Sequence, residues 1–208
     1  MYFYASDNQT INLDKIAHWL QTAIIDCEIE CEVEGDVSEG QALLTDHKWK
    51  NIVLSIEEGS PVVEIERFDK GTPGFSEVLN DAIRDLLDAE RHFYPISAVT
   101  WLCRYLESVE TVYRFTPSTC FTQAAGQTIF NEIWSNVRNF HKGVVYCPGE
   151  GFTNEDGAQI TTEGSGEMTG KIRAAILDAS KAWSEFTLDL TDSDQVTDFK
   201  QGRLPQSS

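Results

Sequence analysis

Carboxylates alternate with apolar residues over one stretch of this chain. Asp26, Glu28, Glu30, Glu32 and Glu34 are interleaved with Ile25, Cys27, Ile29, Cys31 and Val33. Such a period of two predicts a β-strand with one apolar face and one anionic face. At a strand rise of about 3.4 Å per residue, successive carboxylates stand about 6.8 Å apart, a spacing that approximates a row of phosphates. The chemistry this offers is recognition of a basic surface: a toxin, a nucleic-acid-binding protein toward which the strand mimics DNA, or a cationic peptide. A strand at a sheet edge, charged to discourage pairing with other chains, produces the same alternation. No Lys, Thr or Gln breaks the outward positions, however, and that uniformity favours recognition. Trp49, between Lys48 and Lys50 and after His47, is a candidate exposed anchor for the same partner or for a subunit interface.

Other chemistries are weaker. Cys27 and Cys31 share the apolar face of the expected strand, but four residues of extended chain separate them by about 14 Å, too far to share a zinc ion. His18, His47, His92 and His141 show no HxxxH spacing, so no metal and no cofactor is expected. His141 and Cys147 flank a short apolar run, and Pro148-Gly149-Glu150-Gly151 follows the thiol as a turn that offers backbone N–H groups to an oxyanion. A hydrolase with Cys147 as nucleophile, assisted by His141 and Glu150, is therefore the enzymatic alternative. An extended segment between them places the pair about 20 Å apart, and no G-x-S-x-G elbow supports acyl transfer. The glycines between 143 and 170 spell neither a P-loop nor a dinucleotide fingerprint. Binding is favoured over catalysis on these grounds.

Charge narrows the partners further. The 208 residues hold 34 Asp and Glu against 16 Lys and Arg, a formal net charge of −18 with histidine neutral. A field of that sign repels phosphates and anionic headgroups, which disfavours direct nucleic-acid or membrane-surface binding. A basic protein is the expected partner, with a homo-oligomer as the remaining structural alternative. The N-terminal residues Met1 to Asp7 show neither a basic leader nor an apolar block. The five cysteines are an odd number in a chain long enough to build a core, unlike a disulfide scaffold. These features predict a soluble cytoplasmic protein with reduced thiols.

The elements that must position these residues follow from periodicity. Leu13, Ile16, Ala17, Leu20 and Ile24 predict a helix over 13–24 with Asn12 as its N-cap. The carboxylate strand follows, with an exit bracketed by Gly35 and Gly40. Runs at 52–56 and 62–68 form a hairpin about Glu57 to Pro61. Helices are predicted from Phe75 to Leu87, from Ile96 to Ser108 after Pro95, and from Gln127 to Phe140, whose outer face is mostly amide and hydroxyl. Strands are expected at 111–116 and 143–147, with a further hairpin around Asn154 to Gly157. Met168, Ile172, Ala175, Ile176, Ala179 and Trp183 predict a last amphipathic helix, and Phe186, Leu188 and Leu190 a last strand. Because strands and helices come in blocks, the fold class is α+β: a mixed or mainly antiparallel sheet packed by about five amphipathic helices. A single domain is expected over 1–190, with 191–208 a polar, frayed tail.

Overall fold

The structure is a computed structural model that describes residues 1–22, 27–33, 49–88, 90, 92–163 and 169–205, with the backbone alone for 30–33. In chain order the elements are β1 (Tyr2–Ala5), α1 (Leu13–Thr22), β2 (Glu28–Val33), β3 (Trp49–Ser55), β4 (Pro61–Asp69), α2 (Phe75–Leu87), α3 (Ile96–Leu106) and β5 (Thr111–Pro117). They continue with α4 (Ala124–Phe140), β6 (Gly143–Cys147), β7 (Gly151–Thr153), β8 (Lys171–Leu177), β9 (Trp183–Asp189) and α5 (Ser193–Lys200). Seven strands form one sheet in the order β2-β3-β4-β5-β1-β6-β7, and every ladder in it is antiparallel. With five helices among the described residues, the α+β class holds. No described helix is long and apolar enough to cross a membrane.

Strand parity sorts the side chains onto two unequal faces. Phe3, Ile52, Leu54, Ile65, Tyr113, Phe115 and Val145 project to one side and are sealed by Ile16 and Leu20 of α1 and by Ile129, Ile133 and Val137 of α4. On the other side Tyr4, Val112, Val144, Tyr146 and Phe152 pack against Phe75 and Leu86 of α2 and Val99, Leu102 and Leu106 of α3. This second layer rests on the β5-β1-β6-β7 half of the sheet. On β3 and β4 the face it leaves carries Asn51, Glu64 and Glu66 beside Val53, and no described helix packs onto it. A small third cluster of Ala174, Ile176, Leu188 and Phe199 holds β8, β9 and α5 together. Gln159 ties that unit to the sheet, bridging Ala174 in parallel with backbone bonds of 2.9 Å.

The hairpin predicted between 52 and 68 forms, closed by Ile56 N–H to Ser60 O at 3.1 Å and by Gly59 at a φ of 76°. Two expectations differ, and one strand has no counterpart among them. The stretch from 168 to 183 is not a helix: its described part is the β8–β9 hairpin, with Leu177 opposite Trp183. Ile172, Ala175 and Ile176 fit a helical stripe but equally a strand covered on both faces, with Ile172 and Ile176 on one side and Ala175 on the other, and Asp178 decides between them. Its carboxylate accepts N–H bonds from Ser180 and Ala182, its backbone pairs with Ala182, and Lys181 takes a positive φ of 66°, so the chain reverses. Residues 193–200, expected to fray, form α5, capped by Asp192 through the N–H groups of Asp194 and Gln195 and anchored by a fully buried Phe199. Finally, residues 2–5 form β1, which lies between β5 and β6. The turn around Gly35 and Gly40, the helical positions 23 and 24, and Met168 lie outside the described residues.

Close approach to β1 requires glycine at 143. A Cβ there would lie 2.5 Å from Phe3 Cζ and 2.6 Å from the Tyr4 carbonyl oxygen. Gly143→Ala is expected to lower the unfolding free energy by about 1–3 kcal/mol through overpacking of the central strand. Urea denaturation measures it, and an unchanged midpoint would contradict the tight β1–β6 packing.

Candidate functional site

The carboxylate strand lies where its alternation requires. Cys27 and Ile29 pack on the core under α1 and α4, while Glu28 between them is exposed. β2 is an edge strand, paired with β3 so that Glu28 stands opposite Ser55, Glu30 opposite Val53 and Glu32 opposite Asn51. β4 continues both of the last two rows. Glu64 is opposite Val53 and Thr116, and Glu66 is opposite Asn51 and Arg114. Asp26 and Glu34 lie outside the described residues. The sequence pattern missed the contribution of β4, because Glu64 and Glu66 sit in a strand read for its apolar positions.

Two of these carboxylates have partners on the sheet. Arg114 grips Glu66 with both arms of its guanidinium, and Asn51 Nδ2 donates to Glu64 Oε1 at 2.7 Å. The Glu66 charge is thus matched, whereas the neutral amide leaves the Glu64 charge in place. Beside Glu64 the sheet dips into a shallow depression of about 370 Å³ between Val53, Ser55, Pro61 and Thr116.

Trp49 is not an exposed anchor. It is 2% exposed, its indole N–H donates to the Ile11 carbonyl at 2.8 Å, and its ring lies against Tyr113 and beneath the Arg67 guanidinium. A register shift explains the error: Trp49 is out of phase with the core-facing Ile52 and Leu54, but the ladder slips between Glu32 and Val33, so that Val33 pairs with Trp49, and flanking lysines say nothing about that. Its bond fixes the loop between β1 and α1.

His141 and Cys147 are not brought together. His141 precedes β6 and Cys147 ends it, so the whole strand separates them. His141 instead joins Asp7 and Tyr113: Nδ1 lies 2.7 Å from Asp7 Oδ1, and Nε2 lies 3.0 Å from the Tyr113 hydroxyl. Burial pushes the Tyr113 phenol well up, so it keeps its proton and donates to Nε2. Nδ1–H then donates to Asp7, and the imidazole is neutral with both nitrogens satisfied. Burial lowers the His141 pKa despite the opposing pull of Asp7. An oriented Asp–His pair resembles half of a catalytic triad, but this imidazole side chain has no exposure and its second nitrogen is occupied. No spacing rule could have found it, since Asp7 and His141 are 134 residues apart.

The thiol of Cys147 is pushed up to about 11, first by burial and then by the Glu150 carboxylate. That is the reverse of an activated nucleophile. Glu150 is exposed on the following turn. Among the described residues no group of three or more His, Cys, Asp or Glu side chains could hold a metal ion. Neither a protein-family model, a curated protein nor a solved structure matches the chain.

Two expectations follow from these titrations. Burial alone would raise Asp7, but bonds from His141, the Lys142 N–H and the Gln9 N–H outweigh it and hold the carboxyl below its usual range. With His141 also lowered, the unfolded chain binds more protons at both groups, so stability falls as pH drops below about 6.5 and falls again through the carboxylate range. Urea midpoints at neutral and mildly acidic pH should show this for the wild type. His141→Gln should be less stable at neutral pH yet show a flatter dependence, and a wild-type midpoint that does not fall would contradict a neutral buried imidazole. Iodoacetamide should alkylate Cys147 at neutral pH more slowly than a free small-molecule thiol, as peptide mapping would show; equal or faster labelling would indicate a thiolate.

Proposed function

We propose that this chain is an acidic protein-binding module that takes a basic macromolecular surface on the β2-β3-β4 face, over which no described helix packs, in an inhibitor, immunity or chaperone-like role. The observation that supports it most is the continuation of carboxylates from the edge strand inward: residues 28, 30 and 32 of β2, then Glu64 of β4 beside a depression. A face three strands deep, with carboxylates on its two outer strands, matches a folded basic surface better than a single acidic edge does. The overall charge of −18 steers such a partner in, and salt weakens the encounter. A cytoplasmic setting is part of the proposal, and the free thiols of Cys27, Cys103, Cys120 and Cys147 favour it.

The hydrolase alternative draws no support from a raised thiol set apart from its histidine. A homo-oligomer formed through β2 would bring like charges together, which disfavours edge pairing with a second copy.

The test is a pull-down from native lysate at low and moderate salt, with the wild type beside a folded Glu28→Lys, Glu30→Lys, Glu32→Lys variant. A stoichiometric basic partner is expected on the wild type alone, weakened by salt. Equal retention by both forms, or retention by neither, would overturn the reading.

A further inference from the structure

α4 lies on the opposite side of the sheet from the carboxylate rows, and its outer stripe is neutral. Asn131, Ser135 and Asn139 succeed one another every fourth residue and are exposed. They line a cleft of about 460 Å³ together with half-buried Trp134 and Arg138 and with Glu155 and Asp156 of the turn after β7. That volume lies within the range of small-molecule sites.

The cleft is built rather than incidental. Its turn is pinned by Asn154, whose N–H donates to Ala158 O and whose Oδ1 accepts the Ala158 N–H, each at 2.8 Å. Arg173 binds the Asp156 carbonyl from behind. Gly157 takes a positive φ of 82°, and a Cβ there would lie 2.5 Å from an Arg138 Nη atom. The missing side chain is what admits the guanidinium against the turn. Its other flank lies 5.8 Å from the centre of the Trp134 ring. Held on two sides, the Arg138 guanidinium makes no hydrogen bond or ion pair with any described residue, although two carboxylates line the same cleft.

A held group of donors, two exposed carboxylates, of which Glu155 also takes a bond from the Tyr105 hydroxyl, and a row of amides and a hydroxyl therefore surround a space without satisfying one another. An occupant must accept from Arg138 and donate to Glu155 and Asp156. An anion such as phosphate would meet two carboxylates, and a cation would meet Arg138. Hydroxyl groups on a sugar ring both donate and accept, and vicinal pairs match a guanidinium or a carboxylate in bidentate fashion. Trp134 adds an apolar edge for the C–H face of the ring. We infer that this cleft is a binding site for a neutral saccharide of one or two rings, separate from the acidic face.

The test uses the full chain and saturation-transfer NMR with glucose, galactose, mannose, N-acetylglucosamine, maltose and lactose, with inorganic phosphate and free lysine as parallel arms. Saturable binding of at least one saccharide is expected, with shifts in the side-chain amides of Asn131 and Asn139. Arg138→Gln should weaken it about tenfold or more, as loss of charge-assisted hydrogen bonds does. Asn139→Ala, an exposed change that leaves the core untouched, should weaken it several-fold and keeps the test valid if the arginine variant misfolds. Binding of none of the six, binding unaffected by both variants, or saturable binding of phosphate or lysine at these residues without a saccharide would overturn the assignment.

Discussion

Insertion of β1 between β5 and β6 is the contact on which the rest of this fold depends. Its four residues pair with positions 111–114 on one side and 143–146 on the other. Phe3 belongs to the core under α1 and α4, while Tyr4 belongs to the core under α2 and α3. Like its neighbours β5 and β6, this short strand contributes to both hydrophobic layers, and it closes the gap between them in the sheet. The loop leaving it is fastened by Asp7 on His141 and by the Ile11 carbonyl on Trp49, so the path from β1 into α1 is set by buried polar bonds. Because these partners are distant in sequence, the sheet centre is assembled from non-local contacts, whose loop-closure entropy has to be met before any of them stabilises the chain.

The same arrangement decides which surface is left for binding. Helices α2 and α3 cover the strands around β1, where the side chains facing them are aromatic and aliphatic. At β4 the pattern changes within a single strand. Phe68 packs against the helical layer, Glu66 meets Arg114, and among the described residues Glu64 meets only an amide. The boundary between covered and open sheet is thus a change of residue type along β4, made by local sequence and not by the length of a helix.

Elements with one unambiguous period were legible: α2, α3, the β3–β4 hairpin and the alternation of β2 all carry a pattern that a competing period does not fit. Where two periods fit, the sequence was misread. Ile172, Ala175 and Ile176 lie on a helical stripe and along a strand alike, and the deciding residue was Asp178, whose turn bonds are a local signal that hydrophobic periodicity ignores. α5 was overlooked for a similar reason. Its apolar stripe is thin, yet Asp192 followed by Gln195 is a helix-start signature that predicts the cap without any stripe. β1 offered no period at all, because a strand buried on both faces reads as an unbroken apolar run. The candidate residues divide along the same line. Strand parity located Glu28, whereas Trp49, His141 and Cys147 depended on tertiary neighbours that no spacing encodes.

Protection of an edge strand remains the main competing account of the carboxylates, and it can be weighed on the register. Charges that blunt an edge belong on the edge strand, where unpaired N–H and C=O groups invite another chain. β2 is such a strand, so residues 28, 30 and 32 alone would be explained. Glu64 would not, since β4 is paired on both sides and has no edge to protect. With β3 between them, the carboxylates of β2 and β4 are not cross-strand neighbours; Glu66 is matched by Arg114, whereas Glu64 has a neutral donor. Edge protection therefore accounts for the outer row and recognition accounts for both rows, which is why an unmatched carboxylate on an interior strand carries more weight than the longer and more conspicuous run in β2.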